Sequence, residues 1–417
     1  MNANIPSVLV VGFNTRPLVC SLHESGYIVY AVDFFGDLDL IPCVQDSIVI
    51  TERLDSEYNF LKENYKDFLV RFTIEMLKKH SDIDYLIIGS GLDDAISERE
   101  TILNFIRDKN LKTLNLNNDL ETIKMARDIQ YVYDLLRSSG YQVPKIREFS
   151  SFKISDNQFH FPFVLKKKTG AGGVNVYKIE SKEKFAFMKK KFEASLLDEN
   201  NWYIQEYLEG TPVSCTVISD GNNFEIISVN RQIISLNFLN PPKEFMYCGN
   251  IVPSYLMEKD MNFISDISLF LVKKLKLKGI NGFDFVLKNH YPFLMEINPR
   301  IPGSIQVSEL ALKINLLDLH IKSFEDSKWN SILYNLKNAD FKSFATKLIF
   351  FAPHLISKKT VKKINSLDYI FDKTVPNPIQ KNSPVCTVLY EDNNFADSFF
   401  GALKIVDNIK SIVNKKG

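Results

Sequence analysis

The stretch FLMEINPRIPGS, residues 293–304, places an acid, an amide and an arginine on alternating positions as an apolar run ends. Side chains two apart on a strand point the same way, so Glu296 and Asn298 share a face. The preceding GFDFVLKNHYP reads as a partner strand, with a hairpin turn centred near Asn289-His290 that brings Asp284 alongside them. Three oxygen-bearing side chains among Phe, Leu, Met and Ile are costly to bury unless something pairs with them. Hard oxygen donors suit Mg2+, with Mn2+ as the alternative, and Mg2+ completes its octahedron with waters and substrate phosphates. If the strand persists, Arg300 faces the same way and can grip a phosphate bidentately. The competing reading is a strand that meets solvent with ordinary polar residues.

Two further stretches carry potential chemistry. In VLKKKTGAGGVNV a lysine, Lys166, closes an apolar strand, and Gly170, Ala171, Gly172 and Gly173 follow. Glycines let backbone N–H groups wrap phosphate oxygens without a Cβ in the way, and the lysine adds a point charge. A P-loop has its lysine after the glycines and a helix beyond. Here a strand follows, which points to a hairpin lying over a nucleotide or to a plain glycine turn. In IQEYLEG, Glu206, Tyr207, Leu208 and Glu209 end a strand that leaves one subdomain for another. Exposed backbone there can read an adenine edge, or the stretch is only a linker.

The elements that position these residues follow from their patterning. SVLVVGF, YIVYAVD and DYLIIGSG read as buried strands, and RPLVCSLHESG between the first two reads as a helix stopped by Gly26. This βαβ order predicts a doubly wound parallel sheet, whose ligands collect at the strands' carboxyl ends. Those ends carry Gly12, Asn14, Thr15, Arg16, Asp33 and the Gly89-Ser90-Gly91 loop. GFNTRP is not G-x-G-x-x-G, so a dinucleotide site is not expected. A helical segment ends at Gly140, strand-rich hairpins follow, and a last helix, FADSFFGALKIVDNIKSIVNKK, closes the chain.

Taken in order, FPFVLKKKTGAGGVNV, YIQEYLEG and GFDFVLKNHYPFLMEINPRIPGS closely resemble the ATP-grasp superfamily. The opening VVGFNTRPLVCSLHESGYIVYAVDFFGD looks like the domain that precedes it in the carboxylate–amine ligase branch. The resemblance spans roughly residues 5 to 320. It implies an α/β chain with three parts: a parallel-sheet domain over 1–118, an ATP-grasp domain of two α+β subdomains over 119–335 with a lid at about 150–207, and a small C-terminal α+β segment over 336–417. It also implies that Lys166 contacts the α and β phosphates of ATP, and that Gly170–Gly173 forms the loop over them. By the same resemblance Glu206, Tyr207 and Leu208 form the adenine hinge, Asp284, Glu296 and Asn298 hold Mg2+, and Arg300 stabilises the transferring phosphoryl group. Arg231, in VNRQII, is a candidate clamp for a substrate carboxylate or acyl phosphate, or else an exposed strand-edge arginine. Two positions depart from the family. Ile129 stands where many relatives have a lysine, with Lys124 and Arg127 as substitutes, and Pro212 stands where many have an acid.

The implied activity is Mg2+-dependent ligation of a carboxylate to an amine through an acyl phosphate, on an amino acid or small cofactor precursor. A non-catalytic ATP-binding sensor and a phosphotransferase releasing a phosphorylated product stay open. Formal net charge is +1, with 51 basic and 50 acidic residues, so nucleic acid is not an expected partner. No apolar run is long enough for a membrane span, and the N-terminus lacks a secretory pattern. Five scattered cysteines form no C-x-x-C pair and read as reduced thiols in a cytoplasmic protein. The resemblance, rather than the composition, implies a homodimer acting on small molecules.

Overall fold

The computed structural model describes residues 5–54, 56–154, 159–170, 172–195 and 197–415. The valine-rich opening forms β1 (Ser7–Gly12), followed by the helix Arg16–Glu24 and β2 (Ile28–Asp33). With β3 (Asp46–Val49), β4 (Tyr85–Ile88) and β5 (Leu114–Asn115) these make a parallel sheet in the order β3-β2-β1-β4-β5. Val8 and Val10 pack with Leu18 and Leu22 on one side, and Leu9 and Val11 with Leu69 and Phe72 on the other. Cover on both faces explains why β1 is continuously apolar rather than alternating.

Several residues at these strand ends are structural. The Asp33 carboxylate accepts the backbone N–H of Thr15 at 2.6 Å and of Gly36 at 2.7 Å, so it shapes the turns. Arg16 is buried and reaches across to Asp372 at 2.7 Å and Asp39 at 3.4 Å, tying the parallel sheet to the C-terminal strands.

The lid is a four-stranded antiparallel sheet of β6 (Ile146–Glu148), β7 (Phe163–Lys167), β8 (Val176–Ile179) and β9 (Trp202–Glu206), in the order β6-β9-β7-β8. The helix Lys182–Ala194 packs Phe185, Met188 and Phe192 against Phe163, Leu165 and Trp202.

The central sheet is antiparallel. It comprises β10 (Thr211–Asp220), β11 (Phe224–Ile234), β12 (Tyr247–Val252), β13 (Lys278–Lys288), β14 (Tyr291–Asn298), β15 (Phe344–Phe351), β16 (Ile370–Phe371) and β17 (Pro384–Asp392). Their order is β14-β13-β10-β11-β12-β15-β17-β16. The helix Glu258–Leu275 seals one face, with Ile264, Ile267 and Leu271 against Val213, Phe283 and Phe285. On the other face the helix Ile305–Leu312 packs Val307 and Ala311 on Val252 of β12 and Ala345 of β15, and polar side chains face the cleft from β10, β13 and β14.

Within the segment from residue 336, β15 pairs with β12, Gly249 opposite Leu348, and extends the central sheet. One expectation needs correction. Cys20 and Cys43, read as reduced thiols, are joined in a disulfide, because the helix Arg16–Glu24 and the turn Ile41–Cys43 bring their Cα atoms to 5.1 Å. Cys215, Cys248 and Cys386 are free and buried. Among the described residues no helix is long and apolar enough to cross a membrane.

Candidate active site

A cleft of about 580 Å³ opens between the lid and the polar face of the central sheet. Its floor is the β13–β14 hairpin. Asp284 pairs with Glu296, and Gly282 with Asn298, across a turn that uses positive φ at Asn289 and His290. The alternation expected from the sequence therefore sets all three oxygen-bearing side chains against the cleft. Asn298 Nδ2 donates to Asp284 Oδ2 at 3.1 Å, and Gln232 Nε2 donates to Asp284 Oδ1 at 2.9 Å. Burial, and then the charge of Glu296, pushes Asp284 up to about 7. Burial also works against the Glu296 charge, but Arg127 at 2.6 Å and Lys166 at 3.6 Å outweigh it and hold Glu296 below the usual carboxylate range. An all-oxygen set in which one buried carboxylate disfavours the charge of the next fits a hard divalent cation.

Lys166 is the penultimate residue of β7 and reaches over the hairpin, donating to Met295 O at 3.3 Å. Burial opposes its charge, but Tyr203 and Glu296 raise it above the ordinary lysine value. Gly170, Gly172 and Gly173 form the cleft's upper wall; Ala171 lies outside the described residues. Gly173 has φ +78°, and a Cβ built on it would lie 2.0 Å from the Phe245 carbonyl oxygen. Lys243 Nζ donates to Val174 O at 3.2 Å. The loop is thus seated on the segment before β12.

Glu206, Tyr207, Leu208 and Glu209 line the far end, where the chain passes from β9 to β10. The Glu206 N–H donates to Lys145 O at 2.9 Å, which fixes this crossing. Pro212 lies in β10 opposite Val286 and also lines the cleft.

Arg300 lies just past β14 and lines the cleft, with its Nε paired to Asp93 and its Nη1 donating to Ile301 O at 3.0 Å. Arg231 is not among the lining residues. Its neighbour Gln232 faces Asp284, so strand alternation turns Arg231 to the opposite face, where it is half-buried.

Of the two substitutes for the family lysine, Lys124 is exposed and pairs with Glu121 at 3.2 Å. Arg127, ending the helix Leu120–Arg127, is nearly buried in the cleft and donates to Glu296 at 2.6 Å, to Gly170 O at 2.7 Å and to Asp94 Oδ2 at 3.1 Å. The sequence reading missed Asp93 and Asp94. They follow the Gly89-Ser90-Gly91 loop that it singled out at the end of β4, and that adjacency was the available signal.

Residues 126–304 match the sequence profile of an ATP-grasp domain. Over 395 residues the chain is 28% identical to uncharacterized protein MJ0776 of Methanocaldococcus jannaschii, covering 92% of this chain and 88% of that protein. It is 24% identical over 193 residues to the D-alanine–D-alanine ligase of Christiangramia forsetii, which is 46% of this chain and 57% of that enzyme. Among solved structures, L-amino acid ligase from Bacillus licheniformis is similar in fold with a TM-score of 0.65 at 16% identity, covering 97% of this chain and 98% of that one. The biotin carboxylase–β,γ-ATP complex from Campylobacter jejuni gives 0.72 at 14% identity, covering 99% and 96%. With the ordered motifs, the cleft that they build and the profile match in agreement, residues 126–304 of the chain form an ATP-grasp domain.

Proposed function

We propose that this chain is an ATP-dependent ligase that joins a carboxylate to an amine through an acyl phosphate, on an amino acid or a small cofactor precursor. The observation that carries the reading is the convergence of Lys166, Arg127 and Arg300 on the same cleft as Asp284, Glu296 and Asn298, beneath a glycine loop. Three cations opposite a two-carboxylate site suit a polyphosphate rather than a neutral ligand. Two of the relatives are by name ligases of amino acids, which supports that substrate class.

Asp284, Glu296 and Asn298 would hold Mg2+, or Mn2+, which when bound neutralises charge between the terminal phosphates. Lys166 places a point charge against the nucleotide, and Arg300, held by Asp93, faces the phosphoryl group in transfer. A substrate carboxylate oxygen attacks the γ-phosphorus, ADP leaves, and an acyl phosphate forms. The amine nitrogen then attacks the carbonyl carbon, inorganic phosphate leaves, and the amine gives up a proton. Seating of the glycine loop on Phe245 keeps water from the acyl phosphate. In this reading the backbone from Glu206 to Leu208 meets the adenine edge.

Pools of amino acids and amines, supplied with ATP and Mg2+ and followed by phosphate release and product mass, test the reading. Acceptor-dependent ADP release with a product heavier by one condensed amine supports it. Phosphorylated product without condensation favours a phosphotransferase.

A further inference from the structure

Three hydrogen-bond donors converge on Asp94. Its carboxylate accepts the Gly170 N–H at 2.6 Å and Arg127 Nη2 at 3.1 Å, and pairs with Arg127 Nε as well. A guanidinium fork joined by a glycine N–H is a donor set that serves a phosphate as readily as a carboxylate. Arg127 gives its remaining N–H groups to Glu296 Oε1 at 2.6 Å, Ile297 O at 3.1 Å and Gly170 O at 2.7 Å. Its five donors are all engaged. Both partners are nearly buried, with Arg127 10% and Asp94 9% exposed at the side chain, so water does little to weaken the pair. Asp94 belongs to the loop after β4, so one carboxylate ties the parallel sheet to the lid's glycine loop and to the arginine beside the metal-ligand hairpin.

Resting on the nucleotide reading above, we propose that Asp94 is an internal competitor for a nucleotide phosphate. It holds the donors of Arg127 and Gly170 and keeps the glycine loop shut, and a nucleotide that uses these donors must displace it. Arg127 also holds Glu296. A cation taken up by Glu296 and a phosphate taken up by Arg127 therefore release the same network. The N-terminal loop that carries Asp94 is freed in that exchange, which couples nucleotide entry to the parallel-sheet domain.

Calorimetric titration of Mg2+ and the non-hydrolysable analogue AMP-PNP into wild type and Asp94→Asn tests this. The asparagine keeps the shape and removes the charge, leaving Arg127 with an excess of positive charge toward the cleft. The expected result is binding about tenfold tighter in the variant. Unchanged or weaker binding in Asp94→Asn overturns the proposal, weaker binding being the signature of a residue that only positions Arg127. If wild type and variant both fail to bind, the nucleotide reading of the cleft falls, and the proposal with it. A measurement on the wild type alone guards against a misfolded variant. The Asp94 contact is expected to slow tryptic cleavage at Lys166–Lys168 before any nucleotide is added. Rapid cleavage there, slowed only by nucleotide, overturns the proposal.

Discussion

Asp284 stands directly opposite Glu296 in the β13–β14 ladder, and the two carboxylates answer the burial differently. Glu296 has Arg127 and Lys166 as counter-charges and stays ionised. Among the described residues Asp284 has only amide donors, from Gln232 and Asn298, and is pushed up to about 7. A buried carboxylate with no cation of its own costs stability, and a divalent ion shared with Glu296 and Asn298 would remove that cost. The double variant Glu296→Gln, Asn298→Ala is expected to lose acceptor-dependent ADP release to background while circular dichroism keeps the wild-type fold. Full activity in that protein contradicts the metal assignment.

Gly173 is the position where the loop tolerates no side chain. Its positive φ and the 2.0 Å approach of a built Cβ to Phe245 O both exclude alanine in the seated form. Gly173→Ala is expected to raise KM for ATP and lower kcat, together on the order of tenfold or more, given about 1–3 kcal/mol of local strain. The urea midpoint is expected to stay near the wild-type value, since the loop is outside the buried core. A variant with wild-type kinetics contradicts the seated loop.

Arg127 and Lys124 separate cleanly. Lys124→Ala removes an exposed pair and is expected to leave turnover and stability within experimental scatter. Arg127→Ala leaves Asp94 and Glu296 without their shared cation, and the expected loss is about 3–5 kcal/mol in urea unfolding. Arg127→Lys keeps a charge but not the fork. It is expected to recover much of the stability and little of the ATP-dependent turnover.

A pH dependence follows from His320, which accepts the Ile280 N–H at Nδ1 (3.0 Å) and so donates from Nε2 to Leu116 O (3.0 Å). Burial lowers it to about 4. The native ring is neutral at pH values where the unfolded ring, near 6.5, takes a proton. Its stabilisation is therefore complete above about pH 6.5 and is lost as pH falls toward 4, by up to about 3 kcal/mol. Urea midpoints at pH 7.5, 5.5 and 4.5 check this: His320→Gln is expected to be less stable at pH 7.5 but to show a shallower acid-side decline. Equal declines in both proteins contradict it.

What the sequence made legible was local. Glu296, Asn298 and Asp284 lie within one hairpin, so strand periodicity and a two-residue turn suffice to bring them together. Lys166 and its glycines are adjacent in the chain. What it hid was long-range or a matter of parity. Asp93 meets Arg300 across 207 residues, and nothing in GLDDA announces that partner. Arg231 and Gln232 are neighbours, and only the register of β11 against β12 decides which of them faces the cleft. Cys20 and Cys43 needed the turn at Ile41–Cys43 to meet. The union of β15 with the central sheet depended on the open edge of β12, which residue patterning does not reveal.

The most direct measurement is isotope transfer from the substrate carboxylate. The chain is supplied with ATP, Mg2+, an amine pool and amino acids labelled with ¹⁸O in the carboxyl group, and the released phosphate is weighed by mass spectrometry. Acyl-phosphate chemistry in this cleft is expected to place one ¹⁸O in each phosphate released with product. Condensed product accompanied by unlabelled phosphate contradicts it.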